Sequence, residues 1–145
     1  MTEILGLVAI LACALFAGAA AYISLVEHPA RLSCGTEIAA RQWAPSYKRA
    51  TVMQASLAII AAVAGAARWV QSREALWLWG AVAILAVVPF TLLVILPTNT
   101  KLLEAGRDLA SAETRELLHS WGRLHAVRSV LGLVASVLYI WAAVH

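Results

Sequence analysis

Near the C-terminal end of the chain runs Leu118-His119-Ser120-Trp121-Gly122-Arg123-Leu124-His125-Ala126-Val127-Arg128. At about 100° per residue, Leu118, Trp121, His125 and Arg128 share one narrow helical face. His119 and Arg123 point the opposite way, close to Glu116. An imidazole and a guanidinium therefore lie on the apolar, inward-looking side, and polar groups placed there need partners. His28 and Arg31, which flank Pro29, and Asn99, which follows Pro97, are the other polar residues of this kind at the end of an apolar run. Imidazoles move protons near neutral pH and ligate metals. Guanidinium and amide groups hold developing negative charge. Such a set offers proton transfer with oxyanion stabilisation, or metal ligation.

The elements that must carry these residues are membrane helices. The chain is 62% hydrophobic and only 13% charged, about half the charge of a soluble domain, and its mean hydropathy is +0.81. Four runs approach the roughly 20 apolar residues that a bilayer span requires. They cover 4–26, 50–70 (with Arg68 near its end), 75–97 and 124–144, the last interrupted only by His125 and Arg128 at its start. The expected fold is all-α: an integral membrane four-helix bundle, one transmembrane domain over 1–145, with a short amphipathic helix and a long, projecting fourth helix. The net charge of +3 comes without a basic stripe interleaved with aromatics, which excludes nucleic acid as a partner. The first span is expected to be retained, because Met1–Glu3 lacks the positive charge of a secretion signal. Cys13 reads as a small packing residue, and no disulfide with Cys34 is expected.

Taken in order, Ala14-x-x-x-Gly18 and Ala61-x-x-x-Gly65 read as small-residue packing rows. Pro29 disfavours helical geometry at His28, so a turn or unwinding is expected there. A polar loop should fill 32–49, broken by Gly35 and Pro45 and anchored at the interface by Trp43 and Tyr47, with room for a short helix around 37–43. Trp69, Trp77 and Trp79 read as an aromatic belt. Pro89 should kink the third helix by removing a hydrogen bond to the Leu85 carbonyl. Pro97 should end that helix, and 101–107 should form a short surface helix. Ser111 is the expected N-cap of the last helix. From Glu113 to Val144 that helix would be about 48 Å long against a hydrocarbon core of about 30 Å, so its first turns must project.

Four spans put loops one and three on one side, with Arg31, Arg41, Lys48, Arg49, Lys101, Arg107, Arg115 and Arg123. The other side holds Arg68 and Arg73. The positive-inside rule then makes loops one and three cytoplasmic and both termini periplasmic, the expected setting being a bacterial inner membrane. The same topology brings His28, Arg31, Asn99, His125 and Arg128 to one membrane face. Each has a plain reading. His28 is an interfacial residue before a proline, Asn99 a cap, Arg128 a snorkelling side chain, His125 a satisfied bundle histidine and Trp121 a belt residue. His119 reads as solvent-facing. Their convergence favours a site.

Pro89-Phe90-Thr91, Pro97-Thr98-Asn99 and Trp121-x-x-Leu124-His125-x-x-Arg128 resemble the anthrone-oxygenase-like membrane proteins, a family long known only as a domain of unknown function. The resemblance extends to the four-span layout and the polar segment after His28-Pro29. It implies an oxidoreductase that converts a hydrophobic aromatic substrate of anthrone type to a quinone with dioxygen. On that reading His125 is the base and His28 a second base or relay. Arg128 and Asn99 hold the oxyanion, and Trp121 and Arg31 contact the substrate. No cofactor is then required.

Two rivals stand beside it. His28 and His125 at one mouth would also suit copper, iron or haem, although no HxxxH, CxxCH or ExxH pattern occurs. A non-enzymatic membrane carrier or interaction protein is the other. Substrate identity and homo-oligomer formation are left open.

Overall fold

The computed structural model describes residues 2–145. Four helices, Glu3–Ser33, Thr36–Ser72, Ala75–Leu102 and Ala112–Val144, are each long and apolar enough to cross a membrane. Among the described residues there is no strand, so the all-α four-helix expectation holds. The first helix packs on the second and fourth, and the third packs on the same two, which closes a ring.

The membrane-embedded core is built largely from small side chains: Ala9, Ala12, Cys13, Ala20, Ala58, Ala61, Ala64 and Ala135, with Phe16, Trp77, Ile84 and Tyr139 filling the remaining space. Small residues let backbones approach closely where lipid supplies no hydrophobic drive for association. Tyr139 is the wedge. Its hydroxyl donates to the Ala61 carbonyl at 2.9 Å, and its ring lies over Gly65 and Gly80. The Ala61–Gly65 row is thus a packing row. The Ala14–Gly18 row is not, because both residues are exposed and nothing approaches within 4 Å of a Cβ placed at Gly18. Alanine at Gly80 would bring its Cβ to 2.5 Å from Tyr139 Cε1. We expect Gly80→Ala to destabilise the bundle by about 1–3 kcal/mol, readable as unfolding of detergent-solubilised protein.

Three of the four prolines, Pro29, Pro45 and Pro97, behave differently from the sequence expectation. Pro29 causes no turn at His28. A π-helical turn, Ile23–Glu27, immediately precedes the α-helical stretch His28–Ser33, and the His28 N–H bonds the Ile23 carbonyl. Pro97 does not end the third helix either, because a second π turn, Thr91–Ile95, leads into Leu96–Leu102. In each case the widened turn has already left the i→i−4 ladder when the proline arrives, so its missing N–H interrupts little. At Pro89 the third helix divides at Ala86, which keeps right-handed helical angles (φ −58°, ψ −21°), next to the Leu85 carbonyl that the proline cannot serve.

The expected long first loop is instead a tight break at Cys34-Gly35. Gly35 adopts φ +91°, open to glycine at little cost, and the second helix starts at Thr36 and runs for 37 residues through Pro45. Residues 103–111 form turns where a surface helix was expected. Arg107 braces them through the Lys101 carbonyl, Glu104 and Glu113. Ser111 does cap the fourth helix, accepting from the Thr114 N–H at 3.1 Å, and that helix runs 33 residues, about 50 Å. The projecting ends of the second and fourth helices pack on each other. A second apolar cluster there joins Ile23, Ala39, Ala40, Trp43, Ile95, Leu102, Leu118 and Trp121. Trp43 and Trp77 are both buried, so neither is the interfacial anchor or belt residue that was expected. Cys13 and Cys34 are free, as expected.

Candidate functional site

The site lies between the two apolar clusters, where all four helices contribute a polar side chain. The π turn in the first helix adds one residue per turn to the local register. It carries Ser24, while His28 and Arg31 follow it, and the last two are buried. Asn99 comes soon after the corresponding π turn in the third helix and is also buried. On the fourth helix, Leu118, Trp121, His125 and Arg128 are all buried, as one inward face requires. His119 is half-buried and Arg123 exposed.

Around a small cavity of about 10 Å³ stand Arg31, Tyr47, Gln54, Trp121, His125 and Arg128, and that volume suits about one water molecule. His125 Nδ1 is 3.0 Å from Ser24 Oγ, which in turn is 2.9 Å from Ser129 Oγ. No described group hydrogen-bonds its Nε2. Trp121 stacks on His125 with ring centroids 4.8 Å apart. Arg128 donates to Gln54 Oε1 at 2.7 Å, and its guanidinium lies 5.8 Å from the centre of the Phe16 ring. No carboxylate among the described residues pairs with it. Arg31 pairs with Glu27 and also reaches Ser46 Oγ at 3.3 Å. Glu27 is held in addition by Gln42 and Ser46. One arginine at the cavity is therefore neutralised and the other is not.

The structure sorts the sequence candidates into two groups. His125, Arg128, Trp121 and Arg31 line the cavity. His28 and Asn99 stand one side chain behind it. The His28 ring touches Trp121 at 4.9 Å between centroids, and its Nε2–H donates to the Leu118 carbonyl at 3.0 Å. A Cβ at Gly122 would come within 2.7 Å of the His28 ring, so that glycine makes room for it. Asn99 Nδ2 donates to the Tyr47 hydroxyl at 3.0 Å, and Tyr47 stacks on Trp43. Among the described residues, no three His, Cys, Asp or Glu side chains gather as a metal set would require.

Sequence reasoning missed Gln54, Tyr47, Trp43, Ser24 and Ser129. Gln54 carried a usable signal, being an amide inside a charge-free apolar run, where such a group is costly without a partner. Ser24 and Ser129 carried none, because membrane helices hold many serines that bond only their own backbone.

The family model described as anthrone oxygenase matches residues 43–138. That span begins at Trp43 and takes in Gln54, Asn99, Trp121, His125 and Arg128, while His28 and Arg31 lie before it. An anthrone oxygenase of Claviceps purpurea is 33% identical over 135 residues, 83% of this chain and 78% of that protein. The anthrone oxygenase ptaC of Pestalotiopsis fici is 32% identical over 132 residues, 80% of this chain and 94% of its own. The anthrone oxygenase tpcL of Aspergillus fumigatus is 48% identical over a shorter stretch of 61 residues, 40% of this chain and 38% of its own. No solved structure matches. With a family match over 43–138 and two relatives 32–33% identical over at least four-fifths of this chain, the chain belongs to the anthrone oxygenase family.

Proposed function

We propose that this protein oxidises an anthrone-type substrate to the quinone with dioxygen, beside His125, Arg128 and Arg31, where the closed cavity widens to admit the ring. The observation that carries the reading is the pairing of an imidazole whose Nε2 bonds no described residue with an arginine that no described carboxylate neutralises. When His125 Nδ1–H donates to Ser24 Oγ, Nε2 keeps its lone pair and can act as a base. It removes a proton from the methylene carbon opposite the ketone, and the electron pair moves through the ring onto the ketone oxygen. Arg128 holds that enolate oxygen. The electron-rich carbon then bonds one oxygen of dioxygen, whose other oxygen takes a proton to give a hydroperoxide. Loss of water breaks the O–O bond, and the second hydrogen of the carbon leaves as a proton to form the new carbonyl. The sum is anthrone plus dioxygen giving anthraquinone plus water, with no external reductant.

In this scheme Asn99 acts through Tyr47 and His28 through Trp121, each fixing a wall of the cavity. No resident cofactor takes part. The mouth of the bundle faces the cytoplasm, in keeping with the arginines and lysines concentrated there.

Oxygen uptake by the protein in nanodiscs, with anthrone supplied, tests the reading. The expected result is one dioxygen consumed per quinone formed, faster than in empty nanodiscs and unchanged after chelation of metals. No acceleration over empty nanodiscs would overturn it. Activity lost on chelation and restored by copper or iron would move the chemistry to a bound metal and overturn the cofactor-free scheme.

A further inference from the structure

Between the second and third helices, a cleft of about 140 Å³ is lined by Phe16, Ala58, Val87, Thr91 and Leu92 and ends on Gln54 and Arg128. Those last two residues also line the small central cavity, so the cleft leads to the chemistry. Its rim includes Ala55 and Leu92, which are exposed on the outside of the bundle, within the apolar part of both helices where lipid lies. The break at Ala86 and the π turn from Thr91 shape one wall. The inner end is polar. Gln54 is 1% exposed and Arg128 is 8% exposed, yet Gln54 Nε2 and Arg128 Nε, both buried, have no hydrogen-bond partner among the described residues. Their one mutual bond uses the Gln54 carbonyl oxygen and leaves only donors free. Buried donors without acceptors cost free energy, and an arriving acceptor oxygen relieves that cost.

We propose that this cleft is the lateral door and entry site for the substrate, from which it passes inward to His125. It takes, from the bilayer, a flat apolar ring system that presents a single ketone or phenolate oxygen to the Gln54 amide and Arg128. Gln54 is then a positioning residue, holding the ketone oxygen of the entering substrate together with Arg128. A ligand larger than the cleft projects its far end into the acyl chains, which costs little for a hydrocarbon ring. The wider cleft of about 510 Å³ between the first and second helices is the competing route, but it is bordered by Glu27, Gln42 and Arg49, whose polar groups suit such a ligand less well.

The inference rests on the anthrone reading, and its test separates the two. The probe is anthraquinone, which has the ketone but no acidic methylene, and its binding to protein in nanodiscs is read beside anthrone turnover. Three variants are compared: Ala55→Phe plugs the lateral cleft from its lipid-exposed rim, Gln54→Leu removes the amide donors, and Met53→Trp plugs the competing cleft. Wild type should bind anthraquinone, Ala55→Phe and Gln54→Leu should weaken binding tenfold or more, and Met53→Trp should bind as wild type. Wild-type affinity in both Ala55→Phe and Gln54→Leu, or loss confined to Met53→Trp, overturns the site even if anthrone turns over. Tight binding lost in Ala55→Phe and Gln54→Leu, without turnover in wild type, keeps the site and sinks the oxidation.

Discussion

Alanine at His125 should lower anthrone turnover by about 10²–10⁴-fold, the range a positioned general base contributes, while the helical content and unfolding midpoint of the solubilised protein stay close to wild type. The ring is buried against Trp121 and bonded to Ser24, so the substitution leaves a gap but strands no charge. Ser24→Ala should cost less, because it frees the imidazole to choose either tautomer without removing it. His28→Ala should also cost less, since that ring bonds a backbone carbonyl and touches only the far wall of the site. The order of the three effects is the diagnostic, read as kcat/KM for a supplied anthrone. Full turnover in His125→Ala, or a larger loss in His28→Ala, would remove His125 as the base.

The second large effect is expected at Arg128. Arg128→Leu should reduce turnover by about 10²–10³-fold, the usual cost of losing one oxyanion donor. Stability should change little or rise, because a buried arginine without a carboxylate partner is expensive to keep in a membrane interior. Arg128→Lys should recover only part of the activity, since a point charge cannot hold Gln54 and an enolate oxygen together as the guanidinium fork does. Activity and thermal stability, measured on the same preparations, decide the matter. A collapse of stability that accounts for the lost activity would mark Arg128 as a structural residue.

The helices and the inward face of the fourth one were legible because both rest on strong, local signals. Charge-free runs of span length and the 3.6-residue spacing of Leu118, Trp121, His125 and Arg128 survive any tertiary rearrangement. Pro29 and Pro97 misled because a π turn ahead of each has already left the i→i−4 ladder, and no residue pattern in Ile23–Glu27 or Thr91–Ile95 advertises one; Pro45 misled because the second helix runs through it without any such turn. Taking Gly35 and Pro45 together as loop breakers hid more than a helix start. Treating 32–49 as a loop removed the first turns of the second helix from consideration, and with them Trp43 and Tyr47 as walls of the site. Gln54 was visible but unplaced, because which face of the second helix points inward depends on where that helix begins. The convergence on one mouth came from counting spans. Which residues meet at the cavity, and which stand behind them, depended on side-chain packing that no spacing encodes.

Oxidation of anthrone by protein in nanodiscs under ¹⁸O₂ is the most direct test of the central claim. Expected is one ¹⁸O atom in the new quinone carbonyl, formed faster than in empty nanodiscs and lost with His125→Ala. Quinone formed no faster than in empty nanodiscs, or a new carbonyl oxygen drawn from water, would contradict it.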